Sequence, residues 1–258
     1  YLTDIDLFDQ HLVVSERFNG LPRRCIIELK TMARHHIQMP EEVYDISSAW
    51  NPNATSTAYR FTYTSPTTPR SVLHYDMETR EQKVLKVQPV LGAFNSDAYT
   101  AKRIWATAAD GTQVPMSMVH RKDVTLTADT PTYLRAYGSY GMPYPVGFQS
   151  NILSLLDRGI LVVIAHIRGG SEMGREWYEN GKFFNKKNTF TDFISCAEAL
   201  IENGYTSASK LVISGGSAGG LLMGAVLNER PELFRAALAL VPFVDVATTM
   251  SDPSLPLT

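Results

Sequence analysis

Two patterns of apolar and polar residues divide the chain. From residue 1 to about 95, apolar positions alternate with polar ones in period two, the signature of strands with one buried face. Residues 11–17 (HLVVSER) and 24–29 (RCIIEL) flank the turn Asn19-Gly20-Leu21-Pro22. Residues 58–64 (AYRFTYT) and 71–76 (SVLHYD) flank Ser65-Pro66-Thr67-Thr68-Pro69, and residues 82–87 (QKVLKV) follow a polar turn at 77–80. These predict two similar antiparallel units repeating at roughly 45 residues, a period typical of β-propeller blades. Two blades cannot close a ring, so this half reads as the end of a longer array.

From about residue 99 the pattern changes. Strands are predicted at 103–107 and 114–119 around Ala109-Asp110-Gly111-Thr112, with a third at 132–138. Helix and strand then alternate: a helix over 147–157, a buried strand at 160–166, and a helix over 189–203. A strand from Leu211, a second helix and a strand at 236–241 complete the series. Such alternation with continuous apolar strands predicts a mainly parallel sheet covered on both faces. In the 189–203 helix, Phe190, Phe193, Ile194, Ala197 and Ile201 fall on one side, and Gly204 ends it.

One junction in this series carries chemistry. Leu211-Val212-Ile213-Ser214 is a short buried strand, Gly215-Gly216-Ser217-Ala218-Gly219 fits G-x-S-x-G, and Leu221-Leu222-Met223-Gly224-Ala225-Val226-Leu227 is helical. Strand, sharp turn with serine, and helix make the nucleophile elbow of an α/β-hydrolase. Glycines two residues either side of the serine let strand and helix approach closely. Ser217 is therefore the candidate nucleophile, and the backbone N–H of Ala218 a candidate oxyanion donor.

Composition narrows the partners. At 258 residues the chain can bury a large core, and 44% apolar with 19% charged residues is ordinary for a globular protein. A formal net charge of −2 gives no reason to expect nucleic acid or an anionic membrane. The apolar run at 160–165 is too short to span a bilayer. Cys25 and Cys196 are far apart and suggest neither a disulfide framework nor a zinc site; Cys196 reads as a small core residue. No cofactor or metal is expected. The lack of an export signal points to the cytoplasm, while Tyr1 and the ending at Thr258 both look like cut ends.

Further stretches share the order of a known family. They are residues 103–112 (RIWATAADGT), Tyr137-Gly138-Ser139-Tyr140-Gly141, residues 167–174 (IRGGSEMG), Gly215-Gly216-Ser217-Ala218-Gly219-Gly220 and residues 241–246 (VPFVDV). The chain resembles the prolyl oligopeptidase family of serine peptidases, with Ala218 and residues 242–250 most like its oligopeptidase B branch. The resemblance implies an α/β-hydrolase domain capped by a seven-bladed propeller. It divides this chain into 1–95, the end of the propeller, and 96–258, an incomplete peptidase domain. It assigns Tyr137, at the end of the third strand, as the side-chain oxyanion donor. It implies short peptides as substrates, with cleavage after Arg or Lys set by acids expected beyond Thr258.

Arg168 and Glu172 follow the apolar strand at the rim where open α/β sheets place ligands. They either contact substrate or brace the loop, and bracing is the commoner use of loop ion pairs. The base is the difficulty. In this fold the triad follows the order Ser, Asp or Glu, His, yet His11, His35, His36, His74, His120 and His166 all precede Ser217. His166 reads as a core histidine, and Asp245 lies one strand early for the acid. Triad Asp and His are therefore expected beyond Thr258, and the chain alone is expected to be inactive. Two alternatives remain: another branch of the family, cleaving after proline or releasing acylated residues, and a non-catalytic product serving as a binding module. Sequence says nothing of oligomeric state.

Overall fold

The computed structural model describes residues 1–255. Eight strands fill the first part, in two antiparallel sheets each ordered as the chain runs. The first holds β1 (Leu2–Leu7), β2 (His11–Phe18), β3 (Leu21–Glu28) and β4 (Arg34–His36); the second holds β5 (Asp45–Ser48), β6 (Ala58–Thr64), β7 (Ser71–Asp76) and β8 (Gln82–Val87). These are the two predicted units, each one or two strands larger than the alternation showed. β1, β4 and β5 escaped it for physical reasons. β4 is only Arg-His-His, β5 has a single apolar residue, and β1 is exposed along nearly its whole length. The two sheets share one core built on Val13, Ile26, Ile46, Tyr59 and Phe61. Inside it the buried Arg24 donates to the Tyr59 hydroxyl at 3.0 Å, which satisfies a charge that burial would otherwise make costly.

A third, six-stranded sheet follows, ordered β14-β13-β11-β12-β10-β9. Its strands are β9 (Tyr99–Thr107), β10 (Gln113–Arg121), β11 (Thr132–Arg135), β12 (Leu161–Ala165), β13 (Leu211–Gly216) and β14 (Ala236–Leu240). β12, β11, β13 and β14 run parallel, while β10 pairs antiparallel with both β12 and β9. The helices are α1 (Ser150–Leu156), α2 (Arg175–Glu179), α3 (Lys187–Glu202), α4 (Ala218–Glu229) and α5 (Val246–Ser251). Met116, Leu134, Val163, Ile213, Phe193, Leu200 and Leu222 form the core between sheet and helices. The predicted helix at 189–203 exists, but its buried side is centred on Phe193, Cys196, Ala197 and Leu200, with Phe190 and Ile201 only partly covered. Asp192 lies fully inside as well.

Strand order fixes where a site can form. β11 is followed by β12 on one side and, after a crossover, by β13 on the other. The chain therefore switches direction between β11 and β13, and the crevice at their carboxyl ends is where open α/β sheets take ligands. Among the described residues, no helix is long and apolar enough to cross a membrane.

Candidate active site

β13 carries the chain to Gly216, and α4 begins at Ala218, so one residue, Ser217, makes the whole turn. Its backbone lies at φ 54° and ψ −117°, a region that costs a non-glycine residue on the order of 1–3 kcal/mol. Surrounding hydrogen bonds hold it there. The Ser217 N–H donates to the Leu240 carbonyl at 3.0 Å, and the Ser217 carbonyl accepts from Gly220 at 2.8 Å and Phe243 at 3.1 Å. The side chain itself is exposed. Two glycines permit the corner. A Cβ at Gly215 would lie 2.1 Å from the Gly219 carbonyl oxygen, and one at Gly220 would lie 2.5 Å from Pro242 Cα.

Tyr137 leaves the end of the neighbouring strand, two residues beyond β11. It lies against the start of α4, since a Cβ at Gly219 would be 3.4 Å from its ring. Its hydroxyl faces Ser217. Burial and the Tyr140 ring beside it push the phenol pKa up, against a smaller lowering by the Ser217 hydroxyl. The phenol therefore keeps its proton at neutral pH and can donate it in a hydrogen bond. Among the described residues no acceptor takes the Ala218 N–H, which stands at the amino terminus of α4, where the helix field favours negative charge. The Tyr137 hydroxyl thus meets Ser217 at the carboxyl ends of β11 and β13, with Ala218 the next residue along the chain.

Arg168 and Glu172 are placed otherwise. The Arg168 side chain is buried, with Nε and Nη2 donating to Asp192 at 2.9 and 2.6 Å and Nη1 donating to Asp110 at 2.6 Å. Its backbone N–H also donates to Asp192 at 2.9 Å. This fork ties the loop after β12 to α3 and to the β9–β10 turn. Glu172 is buried too, accepting from the Tyr144 N–H at 2.8 Å. Both side chains are buried: Arg168 is committed to two carboxylates, whereas Glu172 Oε2 has no hydrogen-bond partner.

The histidines lie elsewhere. His166 is enclosed, with Nε2 at 2.8 Å from Ser117 Oγ and Nδ1 at 3.4 Å from Glu172. Burial pushes its pKa down, so it sits neutral in the core. His35, His36 and His120 bond Tyr75, Glu16 and the Arg121 carbonyl, and no histidine bonds Ser217. Asp245 is exposed just before α5. Three residues around the site were not singled out by sequence. Asp110 and Asp192 hold Arg168, and Lys186, just ahead of α3, donates to the Gly138 carbonyl at 2.6 Å and to Ser139 Oγ at 2.8 Å. Asp192 alone left a trace, as an acid within the helical apolar run.

Residues 146–258 match the prolyl oligopeptidase family, and residues 1–88 match the prolyl oligopeptidase N-terminal beta-propeller domain. The chain is 44% identical over 259 residues to dipeptidyl aminopeptidase BI of Pseudoxanthomonas mexicana, covering 100% of this chain and 36% of that protein. It is 40% identical over 258 residues to protease 2 of Moraxella lacunata, covering 100% and 37%. The structure of oligopeptidase B from Trypanosoma brucei with covalently bound antipain superposes with a TM-score of 0.90 at 44% identity, covering 100% of this chain and 38% of that one. The chain thus spans little more than a third of the length of the relatives it matches. Likeness runs through both of its parts and across the elbow, and the chain belongs to the prolyl oligopeptidase family.

Proposed function

We propose that this chain carries the nucleophile and oxyanion site of a serine oligopeptidase that cleaves short peptides. Residues 1–95 would be its propeller part and 96–258 its peptidase part. The carrying observation is the single-residue corner at Ser217 with Tyr137 facing it across the switch point. Ser217 Oγ attacks the scissile carbonyl and gives up its proton to a base; the carbonyl oxygen becomes an oxyanion held by the Tyr137 hydroxyl and the Ala218 N–H. Collapse expels the peptide amine, which takes the proton, and leaves an ester on Ser217 for water to hydrolyse. Burial of Tyr137 supports this role, because a phenol that resists ionisation remains a donor.

Among the described residues, no histidine is placed to act as the base. We therefore propose that histidine and its acid come from sequence beyond Thr258 and that the 258-residue chain by itself hydrolyses peptides negligibly. Removing triad members leaves only residual catalysis from oxyanion stabilisation and binding. Likeness to oligopeptidase B supports cleavage after Arg or Lys, and the similar dipeptidyl aminopeptidase BI makes release of dipeptides the reading to test beside it. In a longer protein containing these residues, a fluorophosphonate should label Ser217, and Ser217→Ala should abolish both labelling and cleavage of an arginyl amide. An unlabelled Ser217 would remove the nucleophile assignment. Rapid turnover by the 258-residue chain, lost in Ser217→Ala, would show that a base is present after all.

A further inference from the structure

The segment Tyr137-Gly138-Ser139 is held from behind by one amine. Lys186 Nζ donates to the Gly138 carbonyl at 2.6 Å and to Ser139 Oγ at 2.8 Å, and no carboxylate pairs with it among the described residues. The segment has little freedom elsewhere. Gly138 stands at φ +66°, where an added Cβ would meet Thr189 Cγ2 at 2.6 Å and Ile167 at 2.7 Å. The Gly138 carbonyl also closes on Gly169, where a Cβ would come within 2.0 Å of its oxygen. Gly141 N–H bonds Gly169 at 2.9 Å. The carbonyl next to Tyr137 is thus fixed in direction by a charged donor and in depth by packing.

We propose that Lys186 is a positioning residue: its ammonium clamps the backbone immediately after Tyr137 and so aims the phenol at the oxyanion position in front of Ser217. The proposal rests on the role given to Tyr137 above. An ammonium donating to a carbonyl and a hydroxyl makes two charge-assisted hydrogen bonds, roughly twice as strong as neutral ones. On deprotonation the two remaining N–H groups make only neutral hydrogen bonds, about half as strong. Burial alone holds the Lys186 pKa down, to about 8. The titratable groups around it do not offset that. Tyr137 and Tyr140 lie on the clamped segment, Arg168 and Asp192 behind Gly169 are committed to each other, and Lys182 and Lys187 on its own stretch of chain are cations. The clamp is therefore charged at neutral pH and weakens as pH rises through about 8.

The test is NMR of the 258-residue chain carrying ζ-¹³C tyrosine, from pH 6 to 10, with Tyr137 assigned by loss of its signal in Tyr137→Phe. The wild-type Tyr137 signal should move with a midpoint near pH 8. In Lys186→Arg, which keeps its charge, that transition should disappear and the low-pH signal persist. In Lys186→Met the signal should hold the high-pH position at every pH. A transition retained in both variants, or a Tyr137 signal indifferent to Lys186, overturns the clamp; a purely structural lysine would change stability without moving this signal with pH. In the longer protein, Lys186→Met should slow fluorophosphonate capture of Ser217 about tenfold to a hundredfold at pH 7, the cost of a misplaced catalytic group, and Lys186→Arg should restore it. If Tyr137→Phe left capture unchanged while the NMR transition held, the oxyanion role of Tyr137 would fall and the clamp would stand.

Discussion

A methyl group at position 215 would sit 2.1 Å from the Gly219 carbonyl oxygen, far inside contact distance. The neighbour is backbone in the first turn of α4, so no side chain can swing aside, and strand and helix would have to separate. Gly215→Ala should therefore cost about 3 kcal/mol, the upper part of the usual overpacking range, and should also disturb Ser217. Gly92 is the control. At φ +89° it meets nothing within 4 Å, so Gly92→Ala should cost only the conformational 1–2 kcal/mol typical of a left-handed residue. Urea titration of both variants checks this, and equal losses would show that contact at the corner is not the constraint. The G-x-S-x-G spacing made Gly215 legible because it encodes a steric requirement. Gly220, outside the motif and 2.5 Å from Pro242 Cα by the same construction, is as tight. Lys186 was illegible for the opposite reason: its partners are a backbone carbonyl and a hydroxyl 47 to 48 residues away, and side-chain patterns do not record such pairs.

Among elements, α3 does more than cover the sheet. Asp192 is fully buried and receives the Arg168 guanidinium and its backbone N–H, while Asp110 meets the same guanidinium with a half-exposed side chain. The same cation thus makes two very different pairs. Asp192→Ala strips a buried arginine of its buried partner, leaving only the half-exposed Asp110, and should cost about 3–5 kcal/mol. Asp110→Ala removes a pair already screened by water and should cost about 0–1 kcal/mol. Hydrogen bonding from Arg168 holds the Asp110 carboxyl down to about 2, below its ordinary 3.8. Its folded pKa is the lower one, so its contribution is present above pH 3.8 and is lost as pH falls towards 2. The stability gap between wild type and Asp110→Ala should close over that window, and a gap that widened on acidification would refute the pairing. The apolar period found α3 and its core side, with Phe193, Ile194 and Ala197 buried, but not the buried Asp192, because the pattern counts only apolar residues. The partners of Arg168, 24 and 58 residues away, were likewise invisible to spacing.

At the scale of the whole molecule, strand and helix alternation was enough to place the six-stranded sheet and its crevice, since continuous apolar strands have few other homes. What it could not show was how completely that sheet is covered. β14 pairs with β13 along one side, and its other side has no partner among the described residues. Leu238 and Leu240 point the same way, alternate residues on one strand, and are 48% and 56% exposed. They border a hollow of about 480 Å³ lined also by Ile152, Leu155, Ile160 and Val212. An unpaired edge beside exposed apolar surface is a template for association with another chain. The 258-residue chain should therefore self-associate through β14 as its concentration rises. Leu238→Lys with Leu240→Lys removes little buried area and places like charges where two edges would meet, so it should leave the melting temperature nearly unchanged and keep the chain monomeric. Sedimentation velocity on both proteins decides the matter. A wild-type chain monomeric at every concentration, or a double variant that associates equally, would locate the weakness of this fold somewhere other than its open strand.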